Sequence, residues 1–138
     1  MNYLLDTNVL SELRKSAKAA DPAVRAWTSA RRPSELYLSV VTIMELDIGI
    51  GRVERRDDEQ GKRLRAWLED TVLDTFAGRI LDIDLAVARR AAHMHVPDPR
   101  PERDTLIAAT AGEHGMTVAT RNVKDFTATG VPIVNPWE

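Results

Sequence analysis

Short apolar runs alternate with helical patterns along all 138 residues, and that alternation limits the available folds more than any other feature of the chain. Tyr3–Leu5, Leu36–Leu38, Ile80–Ile83, Met116–Thr120 and Val131–Val134 read as strands. Between them, Thr7 or Asn8 caps a helix reaching about Lys15. Asp21-Pro22 supplies an N-cap followed by proline at the first helical position. A third helix runs from Val41 to about Arg52, with Gly49 and Gly51 weakening its end. The longest candidate is 57–75, where Leu64, Trp67, Leu68 and Val72 recur at helical spacing. Asp84 caps a helix reaching about His95, the prolines of 96–101 stop it, and a last helix spans 102–114 before Gly115. Pro132 suits an edge strand.

Strands separated by helices imply an α/β fold with one central, mostly parallel sheet of four to five short strands covered by helices on both faces. A single domain over residues 1–138 is expected from the length and from the lack of any repeat or low-complexity stretch. With 43% hydrophobic and 29% charged residues, the composition is that of an ordinary globular protein. There is no cysteine, which excludes disulfides and thiolate metal sites. Residues 1–5 lack the basic and long apolar segments of a signal peptide, and no run suits a membrane span. The expected location is cytoplasmic, without membrane association.

In such sheets ligands bind beyond the carboxyl ends of the strands, and acidic residues collect there. Asp6 directly follows the first strand, and Asp125 lies just beyond the fourth. Glu45 falls with Val41, Ile48 and Gly49 on one helix face, so a carboxylate sits on an apolar stripe. Asp104 shares the apolar face of its helix with Ile107, Ala108 and Ala111. Each acid has a plainer reading: Asp6 as an N-cap, Asp104 as a first-turn acid serving the helix dipole, Glu45 paired with a buried arginine, Asp125 as a loop cap. Those readings leave the convergence of all four on one end of the sheet unexplained.

Convergence has an energetic cost. Two carboxylates about 5 Å apart at an effective dielectric of ~20 repel by roughly 3 kcal/mol, a large fraction of a domain's stability of ~5–15 kcal/mol. Protons or a cation must relieve it. An all-oxygen donor set points to Mg²⁺ or Mn²⁺. The net charge of −2 does not suggest a nucleic-acid binder, but it becomes positive once these four acids are set aside. Basic groups also cluster, as at Arg14, Lys15 and Lys18 or at Arg52, Arg55 and Arg56, although such groups are commonly solvated helix faces.

Four segments carry a family resemblance: Leu5-Asp6-Thr7-Asn8; Ser39-Val40-Val41-Thr42-Ile43-Met44-Glu45-Leu46; Arg103-Asp104-Thr105-Leu106-Ile107-Ala108-Ala109; and Thr120-Arg121-Asn122-Val123-Lys124-Asp125-Phe126. In this order and spacing the chain resembles the PIN domains of bacterial VapC toxins, and most of all their FitB-like branch. The resemblance runs from Met1 to about Pro136. It implies a Mg²⁺-dependent endoribonuclease, with Mn²⁺ able to substitute, that is the toxin of a type II toxin–antitoxin system and is restrained by a small VapB-like antitoxin. It further implies that Asp6 and Asp104 touch the metal most directly, that Glu45 and Asp125 complete the acidic pocket, and that Asn8, Thr120 and Asn122 support it. A homodimer, toxin–antitoxin hetero-oligomers, operator DNA reached only through the antitoxin, and products with 5′-phosphate and 3′-hydroxyl ends belong to the same expectation.

Other signals carry less. His93 and His95, two residues apart, point to different sides of a helix, and His114 near a helix end complements the dipole. Gly49-Ile50-Gly51 lacks the context of a phosphate loop. Trp27 and Trp67, at helical spacing with aliphatics, read as core or dimer interface. Two rival readings remain. One is a phosphatase or phosphoacceptor with Asp6 as nucleophile, for which Asn8 stands where a second acid is needed and Lys124 is a loose match. The other is a non-catalytic module whose acidic pocket only grips a basic partner such as a DNA-binding antitoxin.

Overall fold

The computed structural model describes residues 1–138. Five strands, β1 (Tyr3–Leu5), β2 (Leu36–Ser39), β3 (Ile80–Leu81), β4 (Thr117–Ala119) and β5 (Ile133–Val134), form one sheet in the order β3-β2-β1-β4-β5, with every pairing parallel. The first strand is therefore the central one. It pairs Tyr3 with Leu36 on one side and with Thr117 on the other. The strand with Pro132 at its start is an edge, where a missing N–H costs no ladder bond.

Alternate residues of β1 point to opposite faces, and each face is packed. Leu5 belongs to a core with Val9, Leu38, Leu46 and Leu68, while Leu4 lies in a second core with Ile107, Val118 and Phe126. The first is covered by α1 (Thr7–Arg14), α2 (Pro22–Ser29), α3 (Val40–Arg56) and the helix that follows, and the second by α7 (Glu102–His114) and α8 (Val123–Thr127). Burial on both sides is why these strands read as continuous apolar runs. No helix is long and apolar enough to cross a membrane.

Local chemistry sets most helix ends. Asp21 accepts from the Ala23 N–H ahead of Pro22, and Asp84 from the Val87 N–H at the start of α6 (Leu85–Met94). Gly115 closes α7 with φ +65°, a left-handed conformation that glycine adopts without a Cβ clash. At α1 the cap is Asp6 rather than Thr7 or Asn8: its Oδ1 accepts from the Thr7 N–H at 2.8 Å.

Three sequence expectations need correction in α3 and beyond. Gly49 and Gly51 do not end α3, which continues to Arg56 because Leu46, Ile50 and Val53 keep packing onto the core. The buried stripe follows Thr42, Leu46, Ile50 and Val53, so Glu45 borders it instead of lying within it, and Gly49 is exposed. The long helix is continuous from Asp58 to Thr75 but in three parts: α4 (Asp58–Ala66), a π-helical stretch (Trp67–Val72) and α5 (Leu73–Thr75). The wider π turn coincides with Trp67, Leu68 and Val72 packing on the first core.

The α3–α4 hairpin is held at close range. Arg65 reaches from α4 to both Glu54 oxygens, at 3.0 and 3.3 Å, and also pairs with Asp47. Gly61 sits directly on Glu54; a Cβ there would lie 2.7 Å from the Glu54 Cα. Backbone cannot yield as a side-chain tip can, so Gly61→Ala is expected to lower stability by about 1–3 kcal/mol, read as a reduced midpoint of chemical denaturation. An unchanged midpoint would show that the hairpin opens without cost.

Candidate active site

β1 ends at Leu5, and the next residue lies in the crevice between the carboxyl ends of β1 and β4. There the main chain of Asp6 continues the ladder by donating to the Ala119 carbonyl at 2.9 Å. Its side chain is only 4% exposed. Oδ1 caps α1, while Oδ2 accepts from the Thr120 hydroxyl at 2.8 Å and from Asn8 Nδ2 at 3.3 Å. Thr120 is itself fixed, since its oxygen accepts the Asn122 N–H at 2.9 Å. Asn8 spans the same gap, with Nδ2 3.4 Å from Thr120 Oγ1 and Oδ1 accepting the Arg121 N–H at 3.4 Å. Asp6, Asn8, Thr120 and Asn122 thus form one hydrogen-bonded group joining α1 to the loop after β4.

Glu45 projects from α3 toward the same place. The Thr7 hydroxyl donates to its Oε1 at 2.7 Å, and Thr7 also lies 3.4 Å from the buried Thr42 hydroxyl. The arginine beside Glu45 is Arg103, 3.8 Å away and half exposed, so Glu45 is not neutralised by a buried partner. Asp104, in the first turn of α7, is half-buried. Asp6, Glu45 and Asp104 line one cavity of about 440 Å³, together with Asn8 and Asn122. Asp125 does not line it. It sits exposed in the first turn of α8, close enough for its charge to act on both Asp6 and Asp104.

The electrostatics record this crowding. Burial pushes the Asp6 carboxyl above the usual range, against the Thr120 and Thr7 hydrogen bonds that favour its charged form; the Glu45 and Asp125 charges raise it further. Asp104 is pushed up to about 6, first by burial and then by the charges of Asp6, Asp125 and Glu45. Four carboxylates from four separate stretches of chain therefore share one field.

A divalent ion fits this donor set in kind. All the available donors are oxygens, and the Asp6 and Asp104 carboxyls, raised first by burial and then by neighbouring charges, gain from a cation that offsets both. No three of the acidic or histidine side chains close around a common point. A divalent ion here would therefore take one or two carboxylates directly and complete its shell with water. The histidines contribute nothing here: His95 is engaged by the Arg100 N–H and Thr105, and His93 by the Arg89 carbonyl. A larger cavity of about 560 Å³, lined in part by Leu13, Trp67 and Phe76, contains no carboxylate.

Sequence reading did not single out Thr7 as the tether of Glu45, or Arg121 and Trp137 as walls of the cavity. The position of Thr7 beside Asp6 was a usable signal. Trp137, more than a hundred residues away, left none.

The chain matches the PIN domain over residues 3–131. It is 41% identical to VapC ribonuclease Y4jK of Sinorhizobium fredii, an alignment covering 98% of this chain and 97% of that protein. It is 37% identical to toxin FitB of Neisseria gonorrhoeae, with 97% of each chain covered. The solved structure of FitAB bound to an IR36 DNA fragment superposes with a TM-score of 0.88 at 35% identity, covering 99% of this chain and 96% of that one.

The raised carboxyl of Asp104 has a pH signature. An acid whose pKa is higher folded than unfolded favours the fold fully below 3.8 and loses that contribution as pH rises through about 6. In metal-free protein Asp104→Asn therefore raises the melting temperature at pH 7 by about 4 °C, allowing for partial solvent screening, with a much smaller gain near pH 4. An equal effect at both pH values would mean that Asp104 does not share a field with the other acids.

Proposed function

The chain belongs to the PIN-domain family, and from that premise we propose that it is a divalent-metal-dependent endoribonuclease, the toxin of a VapBC-type pair. The observation that carries this reading is the cluster of Asp6, Glu45 and Asp104 around one polar cavity, with Asp125 at its edge. Mg²⁺ is the ion that best suits the oxygen donors, and Mn²⁺ is an adequate substitute. Asp6 and Asp104 would hold it, Glu45 partly through water, and Asp125 would orient the attacking water or a second ion. When bound, such an ion lowers the pKa of a water and offsets charge building up on the phosphoryl oxygens.

The protein's own part is positioning. Thr120, Asn8 and the Thr7 N–H hold the Asp6 carboxylate in one orientation, so little ordering remains when the ion arrives. Thr7 does the same for Glu45. Asn122 fixes Thr120 through its main-chain N–H and faces the cavity. Asn8 stands two residues after Asp6 where a phosphatase needs a second acid, and it is bound to Asp6 and Thr120, which disfavours the phosphoacceptor reading.

A small antitoxin of the VapB kind is the expected partner, with operator DNA reached only through it, and the FitAB assembly on DNA supports this. Homodimers and larger toxin–antitoxin assemblies accord with the same family, as does a cytoplasmic location.

Asp6→Asn keeps the α1 cap, because asparagine also accepts at that position, but removes the charge. Cleavage of RNA in Mn²⁺ should fall at least 100-fold while the melting temperature in EDTA holds or rises. Near-normal cleavage by the folded variant would overturn the scheme. Binding of a VapB-like antitoxin with no cleavage by the wild-type chain would favour the non-catalytic alternative.

A further inference from the structure

The cavity that holds the acids has a second, chemically different wall. Opposite in character to the carboxylates stand Lys15, Arg121 and Trp137, the last being the one apolar residue of the lining. Lys15 is already engaged, since its ammonium lies 3.0 Å from Glu12. Glu12 in turn is bound by Lys15 and by the Asp21 N–H at 2.8 Å, and it feels the Arg121 charge without a direct contact. Arg103, the other nearby cation, leans toward Glu45. Arg121 differs from both. Its guanidinium carbon lies over the Trp137 ring, 5.3 Å from the centroid, and it forms no ion pair and no side-chain hydrogen bond within the chain.

Stacking on an indole fixes the plane of a guanidinium without using its N–H groups. Arg121 therefore presents a full set of donors at the mouth of an acidic cavity, and its position is set at both ends. Its main-chain N–H is bound by Asn8, in the group that holds Asp6, and its side chain rests on Trp137. Trp137 is anchored by its own N–H, which donates to Asn135 Oδ1 at 3.0 Å, and it packs against the first core. An RNA strand entering this cavity meets the carboxylates of Asp6, Glu12, Glu45 and Asp104, which repel its phosphates. A divalent ion offsets only part of that charge, so a fixed cation beside the acids is needed to hold the strand.

We propose that Arg121 and Trp137 form a nucleotide subsite, in which Arg121 donates to a backbone phosphate next to the scissile bond and Trp137 is the positioning residue that holds its plane. The inference rests on the ribonuclease reading above, and it names residues that hold substrate rather than metal. Bidentate contact from a planar fork to phosphate oxygens is the chemistry that arginine supplies and lysine reproduces only as a point charge.

The test uses the full-length chain in Mn²⁺ with a short fluorogenic single-stranded RNA, beside RNA binding followed by anisotropy in EDTA over a range of salt. Arg121→Gln is expected to raise KM about 10-fold or more with a small change in kcat, to leave the Mn²⁺-induced rise in melting temperature intact, and to lower the salt slope of binding by about one phosphate contact. Arg121→Lys should recover part of the loss. Trp137→Phe keeps a ring and should stay near wild type, whereas Trp137→Leu should lose about as much as Arg121→Gln, and the double variant no more than either. Unchanged KM and salt slope in Arg121→Gln would overturn the subsite, as would a loss confined to kcat or to antitoxin binding. Additive losses in the double variant would overturn the positioning role of Trp137. If the wild-type chain itself cuts no RNA, the ribonuclease reading fails first, and the salt-dependent binding in EDTA still decides whether Arg121 contacts phosphate.

Discussion

The hydrogen bond from Thr120 to Asp6 closes the junction between the two central strands, and the cavity is built around it. It joins residues 114 positions apart in the chain and places a carboxylate where water is almost excluded. Burying such a group is costly unless donors surround it. Here the Thr7 N–H, the Thr120 hydroxyl and the Asn8 amide all point at it. Even so, desolvation outweighs them and the carboxyl stays raised. Asp6 is therefore held in place without being fully satisfied, a condition that favours capture of a cation over closure of the pocket.

The other acids depend on that anchor through the fold. α3 leaves the carboxyl end of β2, next to β1, and brings Glu45 onto the Thr7 hydroxyl; α7 presents Asp104 from its first turn. Parallel pairing puts the carboxyl ends of β1, β2 and β4 on the same edge, so residues distant in sequence meet without long loops. The second core, with Ile107, Ala108 and Ala111 packed against Leu4 and Val118, fixes where α7 begins its approach to the cavity.

Much of this is legible in the amino-acid sequence because periodicity reports burial. The strand runs, the Asp21-Pro22 and Asp84 caps and the Gly115 stop follow from local chemistry that tertiary structure does not override. Glu45 and Asp104 stand out because a charge near an apolar stripe requires a reason. What stays hidden is set by long-range packing. The stripe of α3 runs through Thr42, Leu46, Ile50 and Val53, with Val41 in the second core, so beyond the first turn it is displaced by one residue from the expected one, and the core contacts carry that helix past Gly49 and Gly51. The π turn at Trp67–Val72 has no local signal, and neither does the seating of Arg121 on Trp137. The peripheral placement of Asp125 depends on how α8 leaves β4, which periodicity over five residues does not specify.

The order of strands has a temporal consequence. β1 is synthesised first yet sits in the middle of the sheet, between β2 and β4. As the chain emerges from a ribosome, Asp6 waits beside β2 with its other flank open until Thr117–Ala119 arrives, and Thr120 with it. A product interrupted anywhere before that segment lacks the clasp on its first acid, so the junction at the centre of the sheet is among the last parts of the fold to close.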